Sequence, residues 1–410
     1  ARRAVVVDYE VQPAILGIDA ARAQGSFIAG ERTIARGDLD AAFASAPHAL
    51  TGKTVIQGQD HFYLESMASI AYPKDGGQVE IHASSQHPTE VQHVVAHTLG
   101  LPAHAVVCVV KRMGGGFGGK ESQVAPFAAF AALTALRTGR AARMVLTKDD
   151  DMVMTGKRNP FQNEWRVAFD SDGRLLALDA RLYSDGGAFA DLSTSIMERA
   201  MLHSDNAYYL PVARVTGQVC RTNVHPHTAF RGFGGPKGVA MIESILEEIA
   251  HHLGLDPFDV RRLNAYGPGR DVTHYGQKLP NNLLPELFDA LATRCDYRRR
   301  RAEILAANQA GGMLRGISLT AVKFGISFTT RFLNQGNALV NVHQDGTVQV
   351  STGATEMGQG VNTKIAQTVA QCLGIPLASV RVMATSTEKN HNTSPTAASA
   401  GTDLNAKAAL

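Results

Sequence analysis

Cysteine is scarce in this chain, and its few copies lie far apart. The sequence contains four cysteines, at positions 108, 220, 295 and 372, and no two of them form a C-x-x-C pair. Zinc sites and iron–sulfur clusters commonly use such closely spaced thiols, so we predict neither within this chain. Reduced thiols in a cytoplasmic protein are the simplest interpretation.

Long apolar runs and a strong net charge are also absent. No stretch approaches the ~18 apolar residues of a membrane-spanning helix, and the formal net charge is only +3. The basic cluster Arg298 to Arg301 has no interleaved aromatic residues, which is typical of a solvated helix face rather than a nucleic-acid surface. We therefore predict neither a membrane nor a nucleic-acid partner.

The length and the two ends of the sequence bear on domain organisation. A chain of 410 residues, of which 44% are hydrophobic and 19% charged, is long enough for two or three domains. It begins without Met, shows no signal-peptide pattern, and ends in DLNAKAAL, the start of a helix with nothing to pack against. We expect a fragment of a longer polypeptide.

Glycine, in contrast, is concentrated in one loop, Lys111 to Ser122. Five glycines between Gly114 and Gly119 are costly in conformational entropy, so they indicate tight bends or close approach to a ligand. An apolar strand pattern (105–110) precedes the loop and a helical pattern (124–136) follows it. The free amides of a helix N-terminus favour anions such as phosphate, so we expect a ligand here.

The same loop also permits a dinucleotide-binding alternative. Gly114, Gly116 and Gly119 match the G-x-G-x-x-G spacing, although this pattern is weak alone. Lys111 and Arg112 stand where the strand should be apolar, and no acidic residue lies about twenty residues further on. A nicotinamide dehydrogenase remains an alternative, and it predicts NADH binding to this loop.

A strand–loop–helix–strand unit occurs twice. The first copy spans 77–110 and carries Gln86 in its polar loop, and the second spans 346–383 and carries Gln359. Both helices have an apolar stripe at i, i+3, i+4, i+7, i+8 and end in Leu-Gly-Leu-Pro or Leu-Gly-Ile-Pro. Two similar α+β domains of this kind would hold one ligand between them.

The domain boundaries follow from these repeats and from composition. We expect a strand within Gly58 to Pro73, a β-meander over Trp165 to Asp191, and a helix over Gly238 to Leu253. Four segments are predicted: 1–36 as the end of an upstream domain or connector, with a strand from Ala4 to about Ile15; 37–270 as the first domain; 271–285 as a linker; and 286–410 as the second domain, truncated at its C-terminus.

Four further motifs follow the first glycine loop, Gly-Gly-Gly-Phe-Gly-Gly-Lys-Glu. They are Ala-Phe-Arg-Gly-Phe-Gly-Gly-Pro (229–236), Lys-Phe-Gly-Ile-Ser-Phe-Thr (323–329), Thr-Glu-Met-Gly-Gln-Gly (355–360) and Ser-Pro-Thr-Ala-Ala-Ser (394–399). In this order they closely resemble the molybdenum-cofactor-binding part of the xanthine dehydrogenase family, from about residue 58 to the last. The resemblance implies an α+β fold of two related molybdopterin-binding domains with the cofactor held between them.

The resemblance also assigns roles to individual residues. The positions that match the surroundings of the molybdenum and the pterin are Gln86, Phe117, Arg231 and Ala398 at the metal, with Gly118, Gln359 and Ser399 as further cofactor contacts. The positions that match the catalytic and substrate-binding residues are Glu121 and Arg199, which bind the purine and stabilise charge on its ring, Phe233 and Phe328, which sandwich it, and Thr329, a polar contact.

The activity that the resemblance implies is molybdenum-dependent hydroxylation of a purine, from hypoxanthine to xanthine to urate. Two aromatic faces suit a planar heterocycle, and a fixed guanidinium lowers a barrier by about 3 kcal/mol. Electrons would pass to 2Fe-2S clusters and FAD in other chains or regions, within a dimer of the complete enzyme. The family's general-base glutamate lies beyond the last motif, so no residue here is assigned that role.

Several alternatives stay open at this stage. Aldehyde oxidases of this fold usually lack the pair formed by Glu121 and Arg199, and carbon monoxide dehydrogenases carry a Cys in the loop that contains Gly232 here. Without the resemblance, Glu121 would be read as an acid at a helix N-terminus, and Arg199 as part of a surface ion pair. A hydroxylase of another N-heterocycle or an aldehyde, and a non-catalytic cofactor-binding fragment, are the functional alternatives.

Overall fold

The computed structural model describes residues 5–410, which form twelve α-helices and thirteen β-strands. The strands are β1 (Arg32–Arg36), β2 (His48–Ile56), β3 (Ala68–Pro73), β4 (Val79–Ala83), β5 (Val106–Val110), β6 (Ala142–Val145), β7 (Phe161–Phe169), β8 (Leu175–Asp185), β9 (Val212–Cys220), β10 (Ala338–Val342), β11 (Val348–Thr352), β12 (Val380–Val382) and β13 (Thr385–Ser386). The helices are α1 (Ile18–Ala23), α2 (Leu39–Ser45), α3 (Pro88–Leu99), α4 (Ala125–Thr138), α5 (Lys148–Met154), α6 (Ser193–Leu202), α7 (Gly235–Leu253), α8 (Pro257–Asn264), α9 (Leu284–Arg294), α10 (Tyr297–Gln309), α11 (Val361–Leu373) and α12 (Gly401–Ala409).

A five-stranded sheet with the order β1-β9-β8-β7-β2 forms the largest core. Strands β7 and β8 form a hairpin, and β9 then runs parallel to β8 after the chain has crossed through α6. Helices α6 and α7 pack against this sheet, and α7 buries Ile242, Ile245 and Ile249 completely because they recur at helical spacing on one face. The hairpin and the helix agree with the sequence prediction.

The second sheet has the order β13-β5-β4-β3-β6 and contains the first repeat unit. Strands β4 and β5 are parallel, with Val79 opposite Val106, and α3 connects them. Helix α3 ends at Gly100, whose φ of 65° is the left-handed conformation that favours glycine at a helix C-terminus. Helices α3 and α4 pack on each other and on this sheet, burying a second apolar core.

The third sheet has the order β10-β11-β12 and contains the second repeat unit. Strands β11 and β12 are parallel, with Val348 opposite Val380, and α11 connects them just as α3 connects β4 and β5. The predicted pair of strand–loop–helix–strand units is therefore confirmed, as is the α+β class. Helix α12, which the sequence left without a packing partner, contacts α11 and β10 and buries Ala406.

The two repeat-bearing halves are joined by paired backbone. Strand β13, which follows the second unit, adds to the edge of β5 in the first half's sheet. Next to it, the Cys108 amide donates to Thr387 Oγ1 at 2.9 Å, and the Thr393 amide donates to Thr89 Oγ1 at 2.9 Å. These contacts bring the Gln86 loop beside the segment that follows β13.

One strand prediction is confirmed only in part, and another was wrong. A strand does lie within Gly58 to Pro73, but it begins only at Ala68, because residues before it make tertiary contacts: the His61 ring Nε2 donates to the Ala229 carbonyl at 2.6 Å, and the Tyr63 hydroxyl donates to Asp151 at 2.6 Å. The strand expected from Ala4 to Ile15 is not formed by residues 5–15, and Ala4 lies outside the described residues.

The predicted domain boundaries remain predictions. Strand β1, within the predicted 1–36 segment, pairs with β9 of the large sheet. The predicted start of the second domain, residue 286, lies within α9. Helices α9 and α10 share an apolar cluster with α8 through Phe258, Phe288 and Tyr297. Among the described residues, no helix is long and apolar enough to cross a membrane.

We expect Ile245→Ala to lower the free energy of unfolding by about 2–5 kcal/mol, because it removes a fully buried side chain between α7 and the large sheet. The exposed Glu248 lies on the same helix, so Glu248→Ala is the matched control, expected to change stability by less than about 0.5 kcal/mol. Chemical denaturation followed by circular dichroism measures both variants. Equal losses would contradict the packing described for α7.

Candidate functional site

One large cavity, of about 1040 Å³, opens where the loops of the two halves meet. Its walls come from the first glycine loop, the second glycine loop, α6, the 323–329 segment, the Gln359 loop and the 394–399 loop. All twelve residues assigned by resemblance line it: Gln86, Phe117, Gly118, Glu121, Arg199, Arg231, Phe233, Phe328, Thr329, Gln359, Ala398 and Ser399. Residues spread over more than three hundred positions of sequence are thus brought to one place.

Gln86 joins three of these loops. Its side-chain Oε1 accepts hydrogen bonds from the amides of Gly118 at 2.9 Å and Lys120 at 3.3 Å, while its Nε2 donates to the Thr396 carbonyl at 3.2 Å. Its backbone bonds both neighbours as well, with its amide donating to Lys120 O and its carbonyl accepting from Thr396 N. A Cβ at Gly116 would lie only 2.5 Å from the Gln86 oxygen, so glycine is required there.

The two glycine loops touch backbone to backbone. Gly118 has a φ of 100°, and a Cβ on it would lie 2.8 Å from both the carbonyl carbon and the oxygen of Ala229. One residue away, the Arg231 amide donates to the Phe117 carbonyl at 2.8 Å. Gly118 of the first Gly-Phe-Gly-Gly motif therefore allows the two loops to approach each other, whereas Gly234 of the second motif lies against the Ile196 carbonyl of α6.

Strained backbone is concentrated around this cavity. Phe117, Phe233, Ala398 and Ser399 all have φ values between 54° and 57°, in the left-handed region that residues with a Cβ rarely adopt. Each such residue costs on the order of 1–3 kcal/mol, and such costs are found mainly where surrounding contacts impose them at functional sites. All four carry predicted cofactor or substrate roles.

The Gln359 loop is organised around a partly buried acid, Glu356. The Glu356 carboxylate accepts hydrogen bonds from the amides of Gly358, Gly360 and Asn362 at 2.9–3.1 Å, at the start of α11. Partial burial would raise the pKa of Glu356, but these amides outweigh it and hold the pKa below its ordinary value. Gln359 itself is bonded within the loop, donating to Thr355 O and accepting from Met357 N.

Glu121 presents an unpartnered carboxyl in the cavity wall. The residue is 4% exposed, and its Oε2 has no hydrogen-bond partner among the described residues. Burial, with a further contribution from the charge of Asp191, raises the pKa of Glu121 to about 8. Asp191 in turn accepts hydrogen bonds from Ser122, Gln123 and Thr228 at 2.7–2.8 Å, so its position behind Glu121 is fixed. At neutral pH Glu121 is therefore mainly protonated and can donate a hydrogen bond.

Backbone carbonyls fix the Arg199 side chain in the cavity wall. Its guanidinium donates to the Gly325 carbonyl at 2.6 Å and to the Ser327 carbonyl, while Nε is buried without a partner. Burial lowers the pKa of Arg199, yet a guanidinium titrates so far above neutrality that it keeps its charge. The site thus contains a buried cation and a neutral carboxyl, the two groups that the sequence resemblance placed on the substrate.

Phe324 also lines the cavity and was missed from the sequence. Its ring lies 5.0 Å from the His203 ring and 5.6 Å from the Arg199 guanidinium carbon, and a Cβ at Gly235 would come within 2.9 Å of it. The signal was present, because Phe324 belongs to the 323–329 motif, but the resemblance supplied a role only for the second phenylalanine. Lys364 and Ser195 line the cavity too and carried no motif.

The donor set fits an anionic organic cofactor better than a metal bound directly by side chains. Among residues 5–410, no three His, Cys, Asp or Glu side chains are grouped as a metal site would need. The wall instead offers the Gln86 amide, the glycine-loop backbone and the Arg231 side chain. The buried atoms Glu121 Oε2 and Arg199 Nε, which have no hydrogen-bond partner among the described residues, are further polar groups in the wall that a polar organic ligand could contact.

We expect Glu121→Gln to make stability less dependent on pH. The carboxyl pKa is higher in the folded chain than its ordinary value near 4.5, so the wild-type contribution is full in acid and is lost as pH rises towards 8. Since one pKa unit is worth about 1.4 kcal/mol, the variant should gain a few kcal/mol over wild type between about pH 5 and about pH 8. Denaturant unfolding across this range measures the difference, and a pH-independent difference would contradict it.

Gly118→Ala is expected to destabilise the chain more than Gly139→Ala does. Both glycines have positive φ, so both substitutions pay about 1–2 kcal/mol of backbone strain. Only Gly118 faces another backbone; nothing lies within 4 Å of a Cβ at Gly139. Unfolding free energies of the two variants should differ by about 2 kcal/mol or more, and equal losses would mean that the glycine loops are not in contact.

Comparison with known proteins agrees with this arrangement. The molybdopterin cofactor-binding domain family matches residues 22–265, and a second molybdopterin cofactor-binding domain family matches residues 290–410. The sequence is 46% identical to xanthine dehydrogenase of Drosophila subobscura over 413 residues and 45% identical to xanthine dehydrogenase/oxidase of Mus musculus over 410 residues. Both alignments cover 100% of this chain but 31% of the relative, so the chain spans about a third of their length.

Solved structures show the same fold. Quinoline 2-oxidoreductase from Pseudomonas putida 86 superposes with a TM-score of 0.84 at 26% identity, over 98% of this chain and 54% of that one. Aldehyde oxidoreductase from Desulfovibrio gigas gives a TM-score of 0.82 at 26% identity, over 96% and 44%. With its two α+β units, its paired glycine loops and these matches, the chain belongs to the molybdopterin cofactor-binding domain family of the xanthine dehydrogenase and aldehyde oxidoreductase type.

Proposed function

We propose that this chain is the molybdenum-cofactor-binding part of an enzyme that hydroxylates a purine, converting hypoxanthine to xanthine and xanthine to urate. The observation that carries the proposal is the joint presence of Glu121, Arg199, Phe233 and Phe328 on the cavity that the two glycine loops also line. The similarity to proteins named xanthine dehydrogenase supports the choice of substrate.

The cofactor would be held by the residues at the meeting point of the loops. Gln86, Phe117, Arg231 and Ala398 would surround the metal, and Gly118, Gln359 and Ser399 would contact the pterin. When bound, the molybdenum cofactor supplies the oxidising centre for the hydroxylation. The contribution of the chain is to orient the substrate and to stabilise the charge that develops on it.

Glu121 and Arg199 divide this electrostatic work. A neutral Glu121 donates a hydrogen bond to a ring nitrogen or a carbonyl oxygen of the purine, and burial strengthens this bond because no water competes for it. Arg199 opposes negative charge that builds on the ring during attack, from a guanidinium already fixed by the Gly325 and Ser327 carbonyls. Arg199 is thus oriented before the substrate arrives.

The aromatic residues orient the ring without selecting particular hydrogen bonds. Phe233 and Phe328 come from different loops, and each would offer a face to a planar heterocycle. Thr329 adds a hydroxyl at the same wall. Phe324 extends the apolar surface towards Arg199 and excludes water from one side of the guanidinium.

A hydroxylase of another N-heterocycle or of an aldehyde is the second candidate, and the likeness to quinoline and aldehyde oxidoreductases favours it. An aldehyde would leave Glu121 and Arg199 without ring heteroatoms to contact, so this pair favours a heterocycle with several polar positions. A non-catalytic cofactor-binding fragment is the third candidate, and turnover by the complete enzyme distinguishes it.

The partners follow from the same proposal. Electrons would leave through 2Fe-2S clusters and FAD carried by other chains or regions of the enzyme, which would be a cytoplasmic dimer. The four cysteines of this chain are free, as a reducing compartment would keep them. No described residue is assigned the role of the general base.

The test is metal analysis of the natively purified complete enzyme combined with purine-dependent bleaching of its iron–sulfur absorbance. We expect stoichiometric molybdenum, bleaching by xanthine or hypoxanthine, and little bleaching by quinoline or an aldehyde. Arg199→Met should keep the molybdenum and lower kcat/KM for the purine about 100-fold, equivalent to about 3 kcal/mol.

The other outcomes are equally informative. Enzyme without molybdenum from a host that loads the cofactor would overturn the cofactor assignment. Molybdenum with no response to purines would overturn the substrate and favour the second candidate. An Arg199→Met enzyme within a few fold of wild type would remove Arg199 from the mechanism.

A further inference from the structure

The segment 321–327 leads into the two substrate-facing residues Phe328 and Thr329, yet it has no regular secondary structure. Irregular segments usually move more than the helices and strands beside them. Residues that must hold a flat substrate require a fixed backbone instead. Tertiary contacts must therefore hold this segment in place.

A buried ion pair anchors its start. Lys323 Nζ donates to Asp205 Oδ2 at 2.5 Å, with the Lys323 side chain 13% exposed and that of Asp205 fully buried. The Tyr266 hydroxyl donates to the same oxygen at 2.5 Å. The Lys323 amide donates to Asn206 Oδ1, so both the side chain and the backbone of Lys323 are bound to the turn after α6.

Two further residues at the end of α6, His203 and Arg199, also bind the segment. His203 accepts a hydrogen bond from the Gly325 amide at its Nε2 and donates from Nδ1 to the Arg199 carbonyl, which defines a neutral ring. Burial lowers the pKa of His203 to about 4, in agreement with that form. Arg199 then binds the Gly325 and Ser327 carbonyls. The end of α6 and the turn after it thus bind the segment at positions 323, 325 and 327.

The segment is held from the second half at its far end. The Ser327 amide donates to the Ala398 carbonyl at 2.8 Å, and the Asn334 side chain bonds both the amide and the carbonyl of Phe328 at 2.8 and 2.9 Å. A displacement at Lys323 would therefore be transmitted along a short, continuously bonded stretch to Phe328. None of these contacts involves the substrate face of the Phe328 ring.

We propose that the buried pair of Asp205 and Lys323 consists of positioning residues that set where Phe328 and Thr329 stand in the cavity. This proposal rests on the proposed function, since it presumes that these two residues contact the substrate. A buried ion pair adds little stability over an uncharged replacement, because the cost of removing both charges from water offsets their attraction. Here the ion pair instead fixes the segment 321–327 in a single position.

The test compares three variants of the complete, molybdenum-loaded enzyme. Asp205→Asn combined with Lys323→Met removes both charges and leaves no unpaired one, so its melting temperature should stay close to that of wild type. Lys323→Met alone removes the lysine charge and leaves Asp205 with only the Tyr266 hydroxyl and the His274 ring beside its Oδ2, so this variant is expected to be less stable. Asp179→Asn is the matched control, because it breaks ion pairs with Arg166 and Arg214, neither of which lines the cavity.

Two measurements decide the outcome. In the double variant, kcat/KM for the purine, normalised to molybdenum, should fall about 100-fold with a raised KM, and amide hydrogen exchange should accelerate in residues 323–330. The control should match wild type in both. Unchanged normalised kcat/KM, or unchanged exchange in this segment, would overturn the proposal and leave the pair a structural contact.

The design separates this proposal from the proposed function. If wild-type enzyme does not turn over purines, the proposed function fails while hydrogen exchange still reports whether the pair fixes the segment. If wild type turns over purines and the double variant equals it, the positioning proposal alone fails.

Discussion

The close approach of two backbones is the constraint on which the cavity depends. Gly118 lies against the Ala229 carbonyl with no room for a methyl group, and the Arg231 amide bonds the Phe117 carbonyl next to it. Gln86 hydrogen-bonds the first glycine loop, at Gly118, to the 394–399 loop, at Thr396. Phe117 and Phe233, which belong to the two glycine loops, have left-handed conformations of the kind that surrounding structure must impose.

Electrostatics then gives the cavity its polarity. The chain buries an acid and a guanidinium in the same wall without pairing them: Glu121 stays neutral through burial, and Arg199 keeps its charge, which the Gly325 and Ser327 carbonyl dipoles stabilise. An ion pair between them would satisfy both groups and leave neither for a ligand. Keeping them apart costs folding free energy, and it leaves one hydrogen-bond donor and one full charge directed at whatever enters.

Much of this arrangement could be read from the sequence, for physical reasons that differ from residue to residue. The repeat units were visible because burial dictates the helical spacing of apolar residues, and α3 and α11 bury equivalent faces. The C-terminal members of the predicted stripes, Thr98, Cys372 and Leu373, are nevertheless exposed. Gln86 and Gln359 occupy matching positions in those units. The residues before Ala68 do not form a strand because His61 and Tyr63 hydrogen-bond to partners far away in the sequence. The β-propensity of a segment contains no information about such partners.

The roles of Glu121 and Lys323 illustrate a second limit. From sequence alone, an acid that opens a helix and a lysine in a loop are ordinary surface residues. Their side chains are covered by segments far away in the sequence, so their burial is visible only in the folded structure. Phe324 was missed for the opposite reason: its motif was recognised, but the resemblance named one aromatic residue where the fold places two.

The pairing of β13 with β5 has a consequence for biosynthesis. The first half's sheet is assembled from strands that emerge early from the ribosome, but its β5 edge is covered only when residues 385–386 have been made. Until then a row of unpaired backbone groups is available to other chains, a known route to aggregation. The same edge marks the moment at which the wall around Gln86 can close, because Thr393 and Thr396 follow β13 directly. The edge of the sheet and the cavity wall around Gln86 are thus completed together during synthesis of the chain.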